Sequence, residues 1–191
     1  MRLFLGIEID ESVRSAAAAA AALLKQRLEQ AAPGLDARWV AASNLHITLW
    51  FIGEAVEARG QAIMTALERP FDTSAFRVEL GGLAAFPATG RPRVLWLGVR
   101  QGRTALRDLH GEIAGRLAPL GFEREARPYE PHLTLARVKD TGRASGCAIG
   151  GVLAGVPAEC GTCPVTAVTV FRSRLSPKGA TYEPLLRVPL P

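Results

Sequence analysis

Histidine and cysteine are both scarce in this chain, three of each among 191 residues. A small, odd cysteine count excludes a disulfide framework. The one close pair, Cys160 and Cys163, forms a C-x-x-C in a Gly/Pro-rich stretch rather than at a helix start beside a βαβ unit, where a redox motif belongs. A structural zinc site needs four ligands, and Cys147 supplies only a third. The pair is therefore read as incidental. Long apolar runs are also lacking. The alanine-rich run from Ala16 to Leu24 stops at Lys25, well short of the roughly 18 residues of a membrane span. Leu3–Phe4–Leu5 is followed by Glu8, Asp10 and Glu11, a poor signal peptide. These absences lead us to expect a cytoplasmic protein with no membrane segment. Acidic residues are the minority, 18 against 23 basic, for a net charge of +5 and a pI of about 9.6. That balance leans toward a phosphorylated or polyanionic partner such as nucleic acid.

What is present suits a folded domain: 48% hydrophobic and 21% charged residues supply ample surface to bury. Arg2 to Ile9 reads as a strand. Asp10 or Ser12 caps a helix that runs through the alanine block to about Ala32 and is stopped by Pro33–Gly34. Strands are expected at 37–40, 45–52, 76–80, 94–99, 131–138, 165–171 and 182–188, and helices at 55–67 and 104–117. Ser176–Pro177–Lys178–Gly179 reads as a turn. The Gly-rich stretch from Thr141 to Val156 has no assignable pattern. No Ser/Gly/Pro tract interrupts mid-chain. We expect a single domain over residues 1–191, made of two interleaved lobes.

Two of the three histidines open the same four-residue pattern, His46–Ile47–Thr48–Leu49 and His132–Leu133–Thr134–Leu135. Alternate residues of a strand share a face. His46 and Thr48 therefore point together, as do His132 and Thr134, while Ile47, Leu49, Phe51, Leu133 and Leu135 point to the core. A duplicated half presents one imidazole and one hydroxyl, and two facing halves bring two of each together. Opening a cyclic phosphodiester uses that set. A neutral histidine takes a proton from water, and a protonated one gives a proton to the departing oxygen. Hydroxyls stabilise the phosphoryl oxygens where charge builds. No metal or other cofactor is required. His110 has no threonine partner and reads as a surface or packing residue.

The motifs in their wider setting resemble the two-histidine phosphoesterase superfamily, and within it the bacterial and archaeal RNA 2′,3′-cyclic phosphodiesterases, also called 2′-5′ RNA ligase-like proteins. The resemblance is carried by Arg2–Leu3–Phe4, by N-L-H-I-T-L-W-F-I-G-E from Asn44 to Glu54, and by R-P-R-V-L-W-L-G-V from Arg91 to Val99. It continues in Y-E-P-H-L-T-L-A-R from Tyr129 to Arg137 and S-x-L-x-x-x-G-x-x-Y from Ser173 to Tyr182. It implies an α+β fold, bilobal, with pseudo-two-fold duplicated antiparallel sheets and outer helices around a central cleft. It implies hydrolysis of RNA 2′,3′-cyclic phosphate ends to 2′-phosphomonoesters. His46 is then the proton donor, His132 the acceptor, and Thr48 and Thr134 the phosphate binders. The near-symmetry of the two motifs leaves the donor and acceptor roles unassigned by sequence physics alone.

Three further residues are candidate substrate contacts. Arg137 matches the family pattern, although simple alternation puts it opposite His132 unless a bulge intervenes. Trp50 shares the His46 face by alternation and offers a stacking surface. Tyr129 is a candidate cleft-lining residue. Arg91, Arg93, Arg124, Arg127 and Lys139 together are expected to hold an RNA backbone. The expected partner is RNA or an oligonucleotide with a cyclic phosphate end, bound by a monomer. The competing readings are 2′-5′ ligation as the reverse reaction, a small cyclic-nucleotide phosphodiesterase, a non-catalytic RNA-binding module, and a redox or zinc protein built on Cys160 and Cys163.

Overall fold

The structure, a computed structural model, describes residues 1–141, 146–176 and 179–191. The strands are β1 (Arg2–Glu8), β2 (Asp36–Trp39), β3 (His46–Glu54), β4 (Phe76–Phe86), β5 (Val94–Gln101), β6 (His132–Asp140), β7 (Glu159–Val165), β8 (Ala167–Ser176) and β9 (Gly179–Pro189). The helices are α1 (Glu11–Ala31), α2 (Glu57–Leu67), α3 (Arg103–Leu117) and α4 (Gly146–Gly155). The turn expected at Pro177 and Lys178 lies outside the described residues. Much of the unassigned Gly-rich stretch is α4. β7 was not expected from the sequence, and β4 runs on past Gly81–Gly82.

All strand pairings are antiparallel, in the order β7-β4-β5-β6-β3-β1-β8-β9, with β2 added to the outer part of β6. The order is a palindrome about the β6–β3 seam. β3 pairs with β1 as β6 pairs with β5, and β8 and β4 lie outside them. At the seam the two motif strands share a single bridging pair, Ile47 opposite Leu133. Two helices cross over between halves. α1 follows β1 yet packs on β7, and α3 follows β5 yet packs on β3.

Local chemistry accounts for the longest helix. The Asp10 carboxylate accepts from the Val13 amide at 2.9 Å and caps α1. The stripe Val13, Ala17, Ala20, Leu24 and Leu28 is buried along one face. Alanines in this stripe let α1 lie close to the sheet. Cys160 and Cys163 belong to the core under this helix. Burial raises the pKa of both thiols, which disfavours the thiolate. Among the described residues no three His, Cys, Asp or Glu side chains cluster as a metal ion requires. Nor is any described helix long and apolar enough to cross a membrane.

Leu24 is fully buried. Leu24→Ala is expected to destabilise the protein by about 2–5 kcal/mol, read as a lower denaturant midpoint with an unchanged slope.

Candidate active site

The motif strands do not follow strict alternation. Gly6 pairs with Thr48 and Leu5 with Trp50, so Leu49 has no partner in β1. In the other half Trp96 pairs with Thr134 and Leu95 with Ala136, so Leu135 is the unpaired residue. Each strand thus carries a β-bulge just after its threonine, and the bulge reverses which residues face the cleft. Leu49 and Trp50 are both buried, as are Leu135 and Ala136. The next residue in each strand, Phe51 or Arg137, turns outward.

Three sequence expectations change as a result. Phe51 does not enter the core: it is 56% exposed and lines a cavity together with Thr48, Phe86 and His132. Trp50 does not follow the alternation that set it on the His46 face: it is 7% exposed, its ring lies tilted against His110 with centroids 5.0 Å apart, and it reaches the lining of the same cavity. Arg137 is not opposite His132. It is exposed, and its charge acts on both motif imidazoles and on Tyr182. The sequence shows an interrupted alternation at Leu49–Trp50–Phe51 and Leu135–Ala136, but the bulge itself is set by the register of the neighbouring strand.

The two imidazoles are held alike. His46 Nδ1 lies 2.7 Å from the Asn44 carbonyl, and His132 Nδ1 lies 2.7 Å from the Glu130 carbonyl. A carbonyl only accepts, so Nδ1 carries the proton in both rings and Nε2 is left for chemistry. Thr48 Oγ1 sits 3.0 Å from His46 Nε2 and donates to it when the ring is neutral. Thr134 faces the indole of Trp96 across the β5–β6 pair.

The walls around the rings differ. His46 packs among Phe4 (4.8 Å), Tyr182 (5.2 Å, edge-on) and Phe171 (6.2 Å). Gly6 lies beside it, where a Cβ would stand 3.0 Å from the Ile47 carbonyl and 3.2 Å from His46 Cδ2, so glycine gives the ring room that a side chain would crowd. His132 packs against Phe86 (5.1 Å, edge-on) and Trp96 (5.7 Å). Burial is the largest influence on both rings and lowers their pKa. The carbonyl bonds oppose it, and Arg137 lowers both further. His132 also disfavours charge on His46.

Tyr129 lines the cavity of about 400 Å³ beside Thr48 and His132. Its hydroxyl is engaged, donating to the Thr48 carbonyl at 2.8 Å, and its ring lies parallel to His110 at 4.4 Å. His110 is thus a packing residue between Tyr129 and Trp50. The five basic residues separate. Arg91, Arg93 and Lys139 line a smaller cavity of about 160 Å³ at the end of β6, with Asp140 and Thr141 in the same lining. Arg127 rims the larger cavity instead, and Arg124 donates to the Gly111 carbonyl at 3.1 Å.

The sequence model of the 2′-5′ RNA ligase superfamily matches residues 11–174, which include both motif strands. The chain belongs to that superfamily. A relative in Aeropyrum pernix named RNA 2′,3′-cyclic phosphodiesterase is 36% identical over 156 residues, 81% of this chain and 87% of its own. Another of that name in Archaeoglobus fulgidus is 31% identical over 186 residues, covering 97% of this chain and 98% of its own. Among solved members of the superfamily, E. coli LigT complexed with 3′-AMP superposes with a TM-score of 0.73 at 26% identity, covering 99% of this chain and 97% of that one. LigT complexed with NADP⁺ gives 0.76 at 28%, covering 99% and 96%. The α+β architecture read from the sequence is therefore the superfamily's, with the duplicated half-sheets joined into one curled sheet.

Because Arg137 lowers both imidazoles, Arg137→Ala is expected to move both titrations to higher pH. A pH series of the histidine C2–H resonances measures this, and unmoved titrations contradict the placement of Arg137.

Proposed function

We propose that this chain hydrolyses the 2′,3′-cyclic phosphate at an RNA end to a 2′-phosphomonoester by general acid–base catalysis with two histidines. The observation that carries the reading is the matched pair of imidazoles. Each has Nδ1 tied to a main-chain carbonyl, which leaves Nε2 as the nitrogen for proton transfer, and Arg137 acts on both. The names of the relatives support the same reaction.

His132 Nε2 takes a proton from water as the water oxygen attacks phosphorus. The bond from phosphorus to O3′ breaks, and His46 Nε2–H gives its proton to the departing O3′. The phosphate stays on O2′. The donor and acceptor roles follow the family pattern. The Thr48 and Thr134 hydroxyls and the Arg137 guanidinium serve the non-bridging oxygens, where charge accumulates. In the empty cleft the Thr48 hydroxyl occupies His46 Nε2, and an arriving phosphate offers it a charged acceptor instead. Phe51, exposed beside Thr48, takes the stacking role that alternation had given to Trp50. This mechanism asks nothing of a metal ion.

The substrate class is RNA or an oligonucleotide ending in the cyclic phosphate. The basic balance of the chain favours such a polyanion. The deciding assay is turnover of that oligonucleotide in EDTA. Wild type is expected to release the 2′-phosphate, and His46→Ala and His132→Ala each to lose about a hundredfold or more in rate while remaining folded, since acid–base groups contribute ~10²–10⁴ each. A folded wild type without turnover contradicts the reading.

The pH dependence has a definite sign. His132 must be neutral and His46 protonated at the moment of reaction. Both free-enzyme values lie below 6.5, so kcat/KM should peak on the acid side of 6.5 and fall through neutrality. Bound phosphate raises both values, so the bell in kcat should lie at higher pH. Profiles measured from pH 4.5 to 9 test this, and a flat profile removes the acid–base pair.

A further inference from the structure

Each motif imidazole rests on the carbonyl of the residue two positions before it, and a carbonyl is only as fixed as the residue that bears it. On the His46 side, Asn44 Nδ2 donates to the Ala180 carbonyl at 2.6 Å and holds that residue against β9. On the His132 side, the Glu130 carboxylate meets two guanidiniums of α3, Arg103 at 2.6 Å and Arg107 at 3.2 Å. Its neighbour Tyr129 reaches the other half-site, with its hydroxyl on the Thr48 carbonyl at 2.8 Å and its ring flat on His110 of α3. Pro131 follows and restricts the backbone of Glu130.

This matters because β3 and β6 pair directly at one position only, Ile47 with Leu133. A single bridging pair cannot by itself set the distance between two imidazoles that act in one step. We propose that Glu130 is a positioning residue for His132, and that Tyr129–Glu130 forms a strut, anchored on α3, that couples the two half-sites. The proposal rests on the two-histidine reading above.

The ion pairs are too exposed to explain the arrangement by stability. Glu130 is 30% exposed, and Arg103 and Arg107 are 40% and 48% exposed. Pairs so placed add little to folding. Misplacement of a catalytic group by about 1 Å, in contrast, costs on the order of 10²-fold in rate. The charge has a second effect. The charged groups acting on His132 are Arg137 on its own strand and Glu130, while Phe86 and Trp96 are uncharged. Glu130 raises the His132 value and is itself faced by Arg103 and Arg107.

The test compares Glu130→Ala, Glu130→Gln and the pair Arg103→Ala/Arg107→Ala on the same oligonucleotide, beside wild type and His132→Ala. Glu130→Ala is expected to lower kcat about tenfold or more, with KM and melting temperature little changed. The arginine pair should reproduce that loss, and combining it with Glu130→Ala should add nothing further. Glu130→Gln, which can still bond the guanidiniums, should keep most of kcat but move the acid limb of kcat/KM to lower pH. Wild-type kcat in Glu130→Ala, wild-type kcat in the arginine pair, or an unmoved acid limb in Glu130→Gln each overturns the proposal. If Glu130→Ala does not fold, the other two variants decide. Retained turnover in His132→Ala is a different failure, that of the two-histidine reading itself.

Discussion

An extra residue directly after the threonine of each motif strand governs the site. Leu49 and Leu135 have no partner in the adjoining strand, and the resulting bulge turns the chain by one side-chain position. Before the bulge, histidine and threonine face the cleft. After it, the residue that alternation would bury faces the cleft as well. Three successive cleft positions per strand become available, His46–Thr48–Phe51 in one half and His132–Thr134–Arg137 in the other. The halves share a scaffold but differ at the third position, one aromatic and one cationic. A duplicated backbone thereby gives an asymmetric site.

The electrostatics follow from the same crowding. The rings are buried among aromatic side chains, and Arg137 acts on both. An empty site of this kind disfavours protons on its histidines. An anion entering between them restores the balance, so a phosphate and the proton that its cleavage needs arrive under mutual influence. The carbonyls of Asn44 and Glu130 resolve the tautomer without any acidic partner to the ring. Each imidazole therefore presents Nε2 to the cleft, where it can act as acid or as base.

The core follows ordinary rules and was readable. The alanine helix, its aspartate cap and its proline–glycine stop are local effects, strong enough to survive any tertiary arrangement. The expected strands at both motifs were found, and His110, expected at the surface or in packing for want of a threonine partner, lies between Tyr129 and Trp50. β7 was missed because its Gly161 and Pro164 mimic a loop, while its pairing with β4 is a long-range property. The Gly-rich segment before it was likewise opaque. There, α4 is held by packing against α1 and β4 rather than by local propensity.

The sequence by itself determined that two identical H-x-T-L motifs lie on strands, and that an imidazole and a hydroxyl project together from each. Those facts depend only on backbone periodicity within a few residues. It could not determine which side of the strand Phe51, Trp50 and Arg137 occupy, because a bulge is decided by the register of the neighbouring strand. Nor could it show that Glu130, whose side chain reaches α3, bears the carbonyl that orients His132. Such pairings join residues far apart in the chain, and only the closed sheet brings them within hydrogen-bonding distance.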